Sequence, residues 1–305
     1  MVLGLSWLSL FTGVGDLRWS DIFNGDQAGR ILIISRIPRT IALILTGSGL
    51  SVAGFILQQI AQNKFAAPST SGALDASKLG ILIALIYLPE SGLMLRMCFA
   101  LCFTFLSCLL FMYLVRRIPL RSTVMIPLIG LMFGGILGAI TTFFAYQNNI
   151  VQNTQEWLLG DFSSIMQGQY ETLYLILPLV VLAYWYADRF TIAGMGESFS
   201  RNLGLSYKKV LNLGLLIVSL VISAGVVTVG AIPFLGLVVP NAVSLIFGDH
   251  LKKVLPFTAL SGAAFLLFCD ILGRVIVHPY EIPIGMMVGV IGGILFIILI
   301  LRKKR

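Results

Sequence analysis

The sequence predicts an all-α protein that crosses a membrane about ten times. Hydrophobic residues make up 58% of the 305 residues and charged residues only 11%, and the mean hydropathy is +0.96. Apolar runs long enough to cross or nearly cross a bilayer recur from end to end, with no charged or low-complexity linker between them. Such a composition leaves too little polar surface to cover a soluble globule. We therefore expect a single transmembrane domain over residues 1–305.

The position of each span follows from the length needed to cross the hydrocarbon, about 20 residues at about 1.5 Å per residue. We expect spans at 1–14, 40–60, 72–88, 93–115, 124–146, 172–187, 210–229, 233–247, 254–278 and 282–301. The first segment is short but lacks a basic start and a small-residue cleavage site, so a signal peptide is not expected. The segment 233–247 is also short and contains Gly236 and Pro240. This combination predicts a half-helix or re-entrant geometry there.

The distribution of basic residues predicts the orientation. With ten spans, both termini lie on one side of the membrane, and the loops and chain end on that side hold most of the lysines and arginines. These are Lys64, Lys78, Arg116, Arg117, Arg121, Arg189, Arg201, Lys208, Lys209, Lys252, Lys253, Arg302, Lys303, Lys304 and Arg305. The positive-inside rule places both termini in the cytoplasm. The net charge of +8 is then a signal of topology and not of nucleic-acid binding.

A charged interruption at 188–209 falls on this cytoplasmic side and separates two apolar segments. Gly194, Gly196 and Gly204 divide it, and the stretch 197–203 is long enough for a two-turn helix. An amphipathic surface helix or a plain solvated loop fits the same composition. Glycine joints around a short helix favour a rigid lever between mobile joints.

Several function classes are disfavoured by what the sequence lacks. Ion-driven transporters usually carry ionisable side chains in mid-membrane, and here Asp270 and Arg274, compatible with an i, i+4 ion pair, are the main exception. There is no P-loop, HExxH or Ser/His/Asp arrangement. The cysteines lie in apolar runs without metal-ligand spacing. We expect neither an enzyme nor a metal site, so energy for transport has to come from a partner.

Several motifs then occur in order along the chain. They are RIPRT at 36–40, GFILQQIAQNKFAAP at 54–68, GAIPFLGLVVPN at 230–241, CDILGR at 269–274 and EIPIG at 281–285. Together they resemble the iron-chelate and cobalamin (FecCD-type) permease family of type II ABC importers over essentially the whole chain. The variants at 63–75, 160–171, 194–205 and 240–244 are most similar to ferric catecholate siderophore permeases of the petrobactin type. Two places depart from the commoner family pattern: Lys64 replaces the Pro of NPLADP, and Asn241 and Ser244 replace the His and Arg of PHxxR.

The resemblance implies a permease that pairs with a second permease, homologous or identical, between an ABC ATPase dimer and an extracellular substrate-binding lipoprotein. ATP and Mg²⁺ would bind the ATPase, so this chain is expected to hold no cofactor. The implied function is import of a ferric siderophore across a bacterial cytoplasmic membrane by alternating access. Another iron chelate, haem or cobalamin remains an alternative, because charge does not choose among them. A secondary transporter without an ATPase is the alternative from a different class.

The resemblance also implies roles for individual residues. Those that correspond to binding-protein docking are Arg36, Arg39 and Arg274; those of a cytoplasmic gate are Asn63, Phe65, Ser122 and Thr123; those of ATPase coupling are Glu197, Arg201, Leu203 and Gly204. Paired arginine–carboxylate contacts suit docking because they are directional, although arginines at a helix start also snorkel to the membrane interface. Ser122 or Thr123 would serve equally well as the N-cap of the following span.

Overall fold

The computed structural model describes residues 1–12, 30, 32–117, 125–152, 159–277 and 279–302, and within these ranges it is helical with no β-strand. We number the α-helices α1 (Val2–Phe11), α2 (Ile37–Ile60), α3 (Ala73–Tyr87), α4 (Leu93–Arg117), α5 (Met125–Gln147), α6 (Ile176–Trp185), α7 (Ala187–Gly194), α8 (Glu197–Asn202), α9 (Tyr207–Val229), α10 (Leu235–Phe247), α11 (Leu251–Val275) and α12 (Ile284–Arg302). A π-helical turn at Leu32–Arg36 runs directly into α2. The all-α prediction is confirmed for the part of the chain described.

The expected count of about ten spans is not confirmed. Within the described ranges, six segments are long and apolar enough to cross a membrane: Leu32–Ile60, Leu93–Arg117, Met125–Gln147, Tyr207–Val229, Leu251–Val275 and Ile284–Leu301. Glu171–Trp185 and α7 pass the same test together but are bent by 62°, and they make a seventh if counted as one span. Helices α1, α3 and α10 lie in predicted segments but have only 10, 15 and 13 residues. At about 1.5 Å per residue, such helices are shorter than the hydrocarbon is thick.

Helix α2 forms the centre of the bundle. Its most apolar 18-residue stretch is 83% buried, whereas the corresponding stretches of α5 and α12 are 22% buried. The helix packs most extensively against α11 and also against α9 and α10. A helix that is apolar all round can be buried on every face, which is the situation of α2. Helices α5 and α12, by contrast, leave large apolar faces uncovered by this chain.

Close packing around α2 depends on glycines at the helix crossings. A Cβ atom added at Gly47 would lie 2.6 Å from the carbonyl oxygen of Gly262 in α11. One added at Gly54 would overlap the backbone of Gly236 in α10. Small residues at such crossings let two backbones approach closely, which is how helices in a membrane gain most of their packing energy.

The segment 188–209, expected as a charged loop, is largely helical. It contains α7, the short helix α8 and the first turn of α9, so Lys208 and Lys209 lie inside a helix. The helix expected within 197–203 is confirmed as α8. A Cβ atom at Gly196 would lie 3.4 Å from the side-chain nitrogen of Gln62, just beyond the end of α2. The segment therefore lies at the C-terminal end of α2.

The Gly54–Gly236 crossing can be tested by overpacking. We expect Gly54→Val to destabilise the protein by about 1–3 kcal/mol, because the added methyl groups force α2 and α10 apart. Thermal unfolding in detergent, followed by intrinsic fluorescence, measures the effect. Gly138→Val in α5 is the matched control, since no atom lies within 4 Å of a Cβ at that position. Equal unfolding temperatures for the two variants would contradict the proposed importance of this crossing.

Candidate functional site

The N-terminal end of α2 carries a buried cluster of charges, which we call the arginine cluster: Arg36, Arg39, Asp270, Arg274 and Glu281. Arg39 Nε and Nη2 donate to Asp270 Oδ1 at 3.0 and 2.7 Å, and Arg39 Nη1 donates to Glu281 Oε2 at 2.7 Å. Asp270 is fully buried, and its second oxygen accepts from Arg274 Nη2. One carboxylate in α11 therefore joins α2 to its own helix, because each of its oxygens accepts from a different arginine.

The same cluster holds the C-terminal end of α1. Arg274 Nη1 donates to the carbonyl oxygens of Ser9 and Thr12 at 3.0 and 2.6 Å, and its Nη2 donates to Ser9 Oγ at 2.7 Å. Arg36 Nη1 donates to the carbonyl oxygen of Leu10 at 2.7 Å. The last carbonyls of a helix lack partners within it and carry partial negative charge, so cations stabilise them. A helix of ten residues is thus anchored by two arginines.

These contacts change how the three predicted docking residues are understood. The structure brings Arg36, Arg39 and Arg274 together, but each is at least nine-tenths buried and bonded within the chain. The i, i+4 ion pair between Asp270 and Arg274 is confirmed. Ser9 and Glu281 were missed as members of the cluster, because nothing in their local sequence indicates the distant arginines. The docking role stays a prediction.

Two of the four predicted gate residues lie at the opposite end of α2. Asn63 and Phe65 are in the loop 61–67, which we call the gate loop, and Asn63 Oδ1 accepts from the backbone N–H of Phe65 at 2.7 Å. Ser122 and Thr123 lie outside the described residues. The Phe65 ring packs edge-to-face on Phe296 of α12, with ring centroids 5.9 Å apart. Phe296 lies outside all of the sequence motifs, so the sequence did not indicate it.

The gate loop is also tied to the chain around α10. Asn241 Nδ2 in α10 donates to the carbonyl oxygen of Lys64 at 2.8 Å. Lys64 Nζ donates to both carboxylate oxygens of Asp249, at 2.9 and 2.8 Å, just beyond the end of α10. A cavity of about 310 Å³ adjoins Lys64, Asn241 and Phe65. Lys64 and Asn241, two departures from the family pattern, are therefore direct partners.

The predicted coupling residues lie on and just after α8, at this same end. Positive φ angles of +108° at Gly196 and +74° at Gly204 bracket the helix, a conformation that glycine adopts without strain. Glu197 accepts from Arg201 Nη2 at 2.6 Å and lies 3.7 Å from Arg116 Nη1 of α4. Leu203 is 58% exposed. Single exposed apolar residues are ordinary on protein surfaces, so the coupling role of Leu203 stays a prediction.

Gate and coupling candidates thus meet at one end of α2, and the docking candidates meet at the other. The motifs from which these candidates were predicted are spread over the whole sequence. Comparison of the sequence with known protein families shows which family they belong to. The model of the FecCD transport family matches residues 1–302. The chain belongs to the FecCD transport family. It is accordingly a multi-pass transport protein of a bacterial membrane and not an enzyme, and the resemblance inferred from the motifs is confirmed.

Relatives of this FecCD-family chain share its whole length. The petrobactin import system permease protein YclN of Bacillus subtilis (strain 168) is 50% identical, and the match covers 100% of this chain and 96% of the relative. The ferric-anguibactin transport system permease protein FatD of Vibrio anguillarum is 49% identical over 97% of this chain and 95% of the relative. A solved inward-facing structure of a metal-chelate type ABC transporter superposes with a TM-score of 0.80 at 24% identity, covering 98% of this chain and 95% of that chain. The fold is therefore shared with that transporter.

The arginine cluster makes a prediction about stability. We expect Asp270→Ala to cost about 3–5 kcal/mol, because removing one partner of a buried ion pair leaves uncompensated charge, here on Arg39 and Arg274. Thermal unfolding in detergent is the measurement. Asp188→Ala is the control, since its exposed ion pair with Lys252 should matter little. An unfolding temperature for Asp270→Ala equal to that of the control would show that the cluster does not hold α1, α2 and α11 together.

Proposed function

We propose that this chain is the permease subunit of an ABC importer that moves a ferric siderophore, of the catecholate type, across the bacterial cytoplasmic membrane. The observation that carries the proposal is similarity at about half identity, over the full length, to two siderophore permeases. The separation of docking candidates from gate and coupling candidates along α2 supports it, because an importer receives its substrate at one end and is driven from the other.

The proposed assembly contains a second permease, identical or homologous, an ABC ATPase dimer that binds ATP and Mg²⁺, and an extracellular substrate-binding lipoprotein. The large uncovered apolar faces of α5 and α12 are available to the second permease and to lipid. The sequence lacks a P-loop, so ATP hydrolysis is assigned to the ATPase. Both termini are placed in the cytoplasm, with the coupling segment 188–209 and the gate loop on the same side.

Docking of the binding protein through Arg36, Arg39 and Arg274 requires an exchange of partners, since these guanidinium groups already have partners within the chain. Glu281 is the acid of the cluster that reaches the surface, with a side chain 27% exposed, whereas Asp270 is fully buried. A carboxylate of the binding protein is therefore proposed to replace Glu281 on Arg39. Asp270 would keep the guanidinium in place during the exchange.

Coupling is proposed to run from α8 to the gate through the end of α2. Gly194 and Gly196, on either side of the turn between α7 and α8, pack on Gln59 and Gln62. A displacement of α8 by the ATPase therefore reaches the residue directly before Asn63. Alternating access follows if ATP binding favours one arrangement of these contacts over the other.

Uptake of ⁵⁵Fe-petrobactin tests the proposed function. Proteoliposomes containing this chain, its second permease and its ATPase subunits should accumulate the probe when ATP and the loaded binding protein are supplied, because hydrolysis powers the conformational change. An ATPase variant unable to hydrolyse ATP is the control and should abolish uptake. Uptake that survives this change and is removed instead by a protonophore would show a secondary transporter. Uptake of ferric citrate, haem or cobalamin without uptake of ferric petrobactin would contradict the siderophore assignment.

The coupling surface makes a separate prediction. Leu203→Glu places a charge on an exposed apolar side chain, and we expect the ATPase subunits to be lost on detergent purification. Tyr87→Glu is the control, because Tyr87 is an exposed residue, at 74%, at the C-terminal end of α3 and outside the coupling segment. The permease-to-ATPase ratio on size-exclusion chromatography measures the difference. Full retention of the ATPase by Leu203→Glu would exclude this residue from the contact.

A further inference from the structure

The gate loop is held by contacts that come from far away in the sequence. The hydrogen bond from Asn241 to the Lys64 carbonyl joins residues 177 positions apart, and the ion pair from Lys64 to Asp249 spans 185 positions. Both contacts converge on one residue, Lys64, through its backbone and its side chain. The loop is thereby fixed both to the middle of α10 and to the short turn that follows it.

Phe65 lies directly after this attachment point and is itself fixed on both sides of its backbone. Its N–H donates to Asn63 Oδ1 at 2.7 Å, and its carbonyl oxygen accepts from Thr70 Oγ1 at 2.8 Å. These backbone contacts orient its side chain. The Phe65 ring meets the Phe296 ring edge-to-face, with the ring centroids 5.9 Å apart and an interplanar angle of 88°. This edge-to-face arrangement is a favoured geometry for aromatic pairs.

The ring pair has open space beside it. The adjoining cavity of about 310 Å³ is bordered by Lys64, Phe65, Asn241, Leu245 and Phe296. The residues that tie the loop thus also border the space into which the Phe65 side chain could turn. The cavity leaves room beside the ring pair for a second position of the Phe65 side chain.

We propose that Phe296 is a further residue of the cytoplasmic gate, and that Lys64, Asn241 and Asp249 form a latch that holds the Phe65 ring against Phe296 when the gate is closed. This inference rests on the gate role of Phe65 in the proposed function. Opening the latch frees the loop, and the Phe65 ring turns into the cavity. A solvent-exposed lysine–aspartate pair suits such a latch, because it is weak enough to be broken and re-formed in each cycle.

The latch also accounts for two departures from the family pattern. Lys64 stands where the commoner pattern has proline, and Asn241 stands where it has histidine. In the structure the asparagine donates to the carbonyl group of that lysine. A proline at position 64 would offer the same carbonyl group, so the lysine adds only the ion pair to Asp249, which a proline cannot make.

Leak and coupling measurements test the proposal. The assembled complex is reconstituted in phosphatidylethanolamine and phosphatidylglycerol vesicles loaded with carboxyfluorescein, and dye release is followed without nucleotide and with ATP plus vanadate. We expect Phe296→Ala to raise release several-fold in at least one condition, because the gate loses the surface on which Phe65 closes. Phe143→Ala is the matched control, since Phe143 makes its edge-to-face contact with Phe144 near the C-terminal end of α5, outside the latch. Equal release from the two variants overturns the role of Phe296.

The latch is tested by the number of ⁵⁵Fe-petrobactin molecules imported per ATP hydrolysed. Lys64→Asp should lower this ratio several-fold, and adding Asp249→Lys should restore it by re-forming the pair with reversed polarity. Lys78→Gln, which removes a lysine paired to Asp75 in the first turn of α3, should leave the ratio unchanged. No loss in Lys64→Asp, or no recovery in the double variant, overturns the latch.

A cross-link covers the case in which Phe296→Ala does not assemble. In a chain whose four cysteines are replaced by serine, Phe65→Cys and Phe296→Cys should be joined by a bifunctional methanethiosulfonate reagent, which should stop transport until the link is reduced. Transport that continues with the cross-link formed overturns the proposal. If the unmodified complex shows no ATP-dependent uptake at all, the proposed function fails instead, so the two failures are distinguishable.

Discussion

The arginine cluster at the N-terminal end of α2 depends on one buried carboxylate. Asp270 in α11 is fully buried and accepts from Arg39 of α2 and from Arg274 of its own helix. A buried charge is tolerated only when it is paired and hydrogen-bonded, so each member of the cluster requires the others. Arg274, oriented by Asp270, holds the last carbonyls of α1. One carboxylate thus fixes the relative positions of three helices.

Helix α2 joins this end to the gate. It is buried on nearly every face, and Gly47 and Gly54 let α11 and α10 approach its backbone closely. Because packed helices move as rigid bodies, a change at one end of α2 is carried along its length instead of being absorbed by loops. The gate loop and the α7–α8 turn both contact the other end, which places them where such a motion arrives.

The sequence was sufficient for the fold class, the family and the positions of the helices, because apolar runs and motifs are local signals. Its count of about ten spans is not confirmed, since hydropathy does not show that α1, α3 and α10 end after about three to four turns. It predicted the Asp270–Arg274 pair, but it did not show that Arg39 binds Asp270 and Glu281 or that Arg36 and Arg274 bind α1. Such contacts join residues up to 265 positions apart and arise only from packing. The contacts of Phe296 and Asp249 with the gate loop also arise only from packing, so the sequence did not indicate them.

The tie between Lys64, Asn241 and Asp249 has a consequence for recombination between related genes. A chimera that exchanged the first half of this chain with that of a relative would inherit one side of the contact without the other, because the partners lie 177 and 185 positions apart. The helices could still pack, yet the loop would lose its attachment. Segments 63–65 and 241–249 therefore have to be exchanged together. Engineering a new substrate preference into this protein by exchanging parts with a relative requires both segments to come from the same parent.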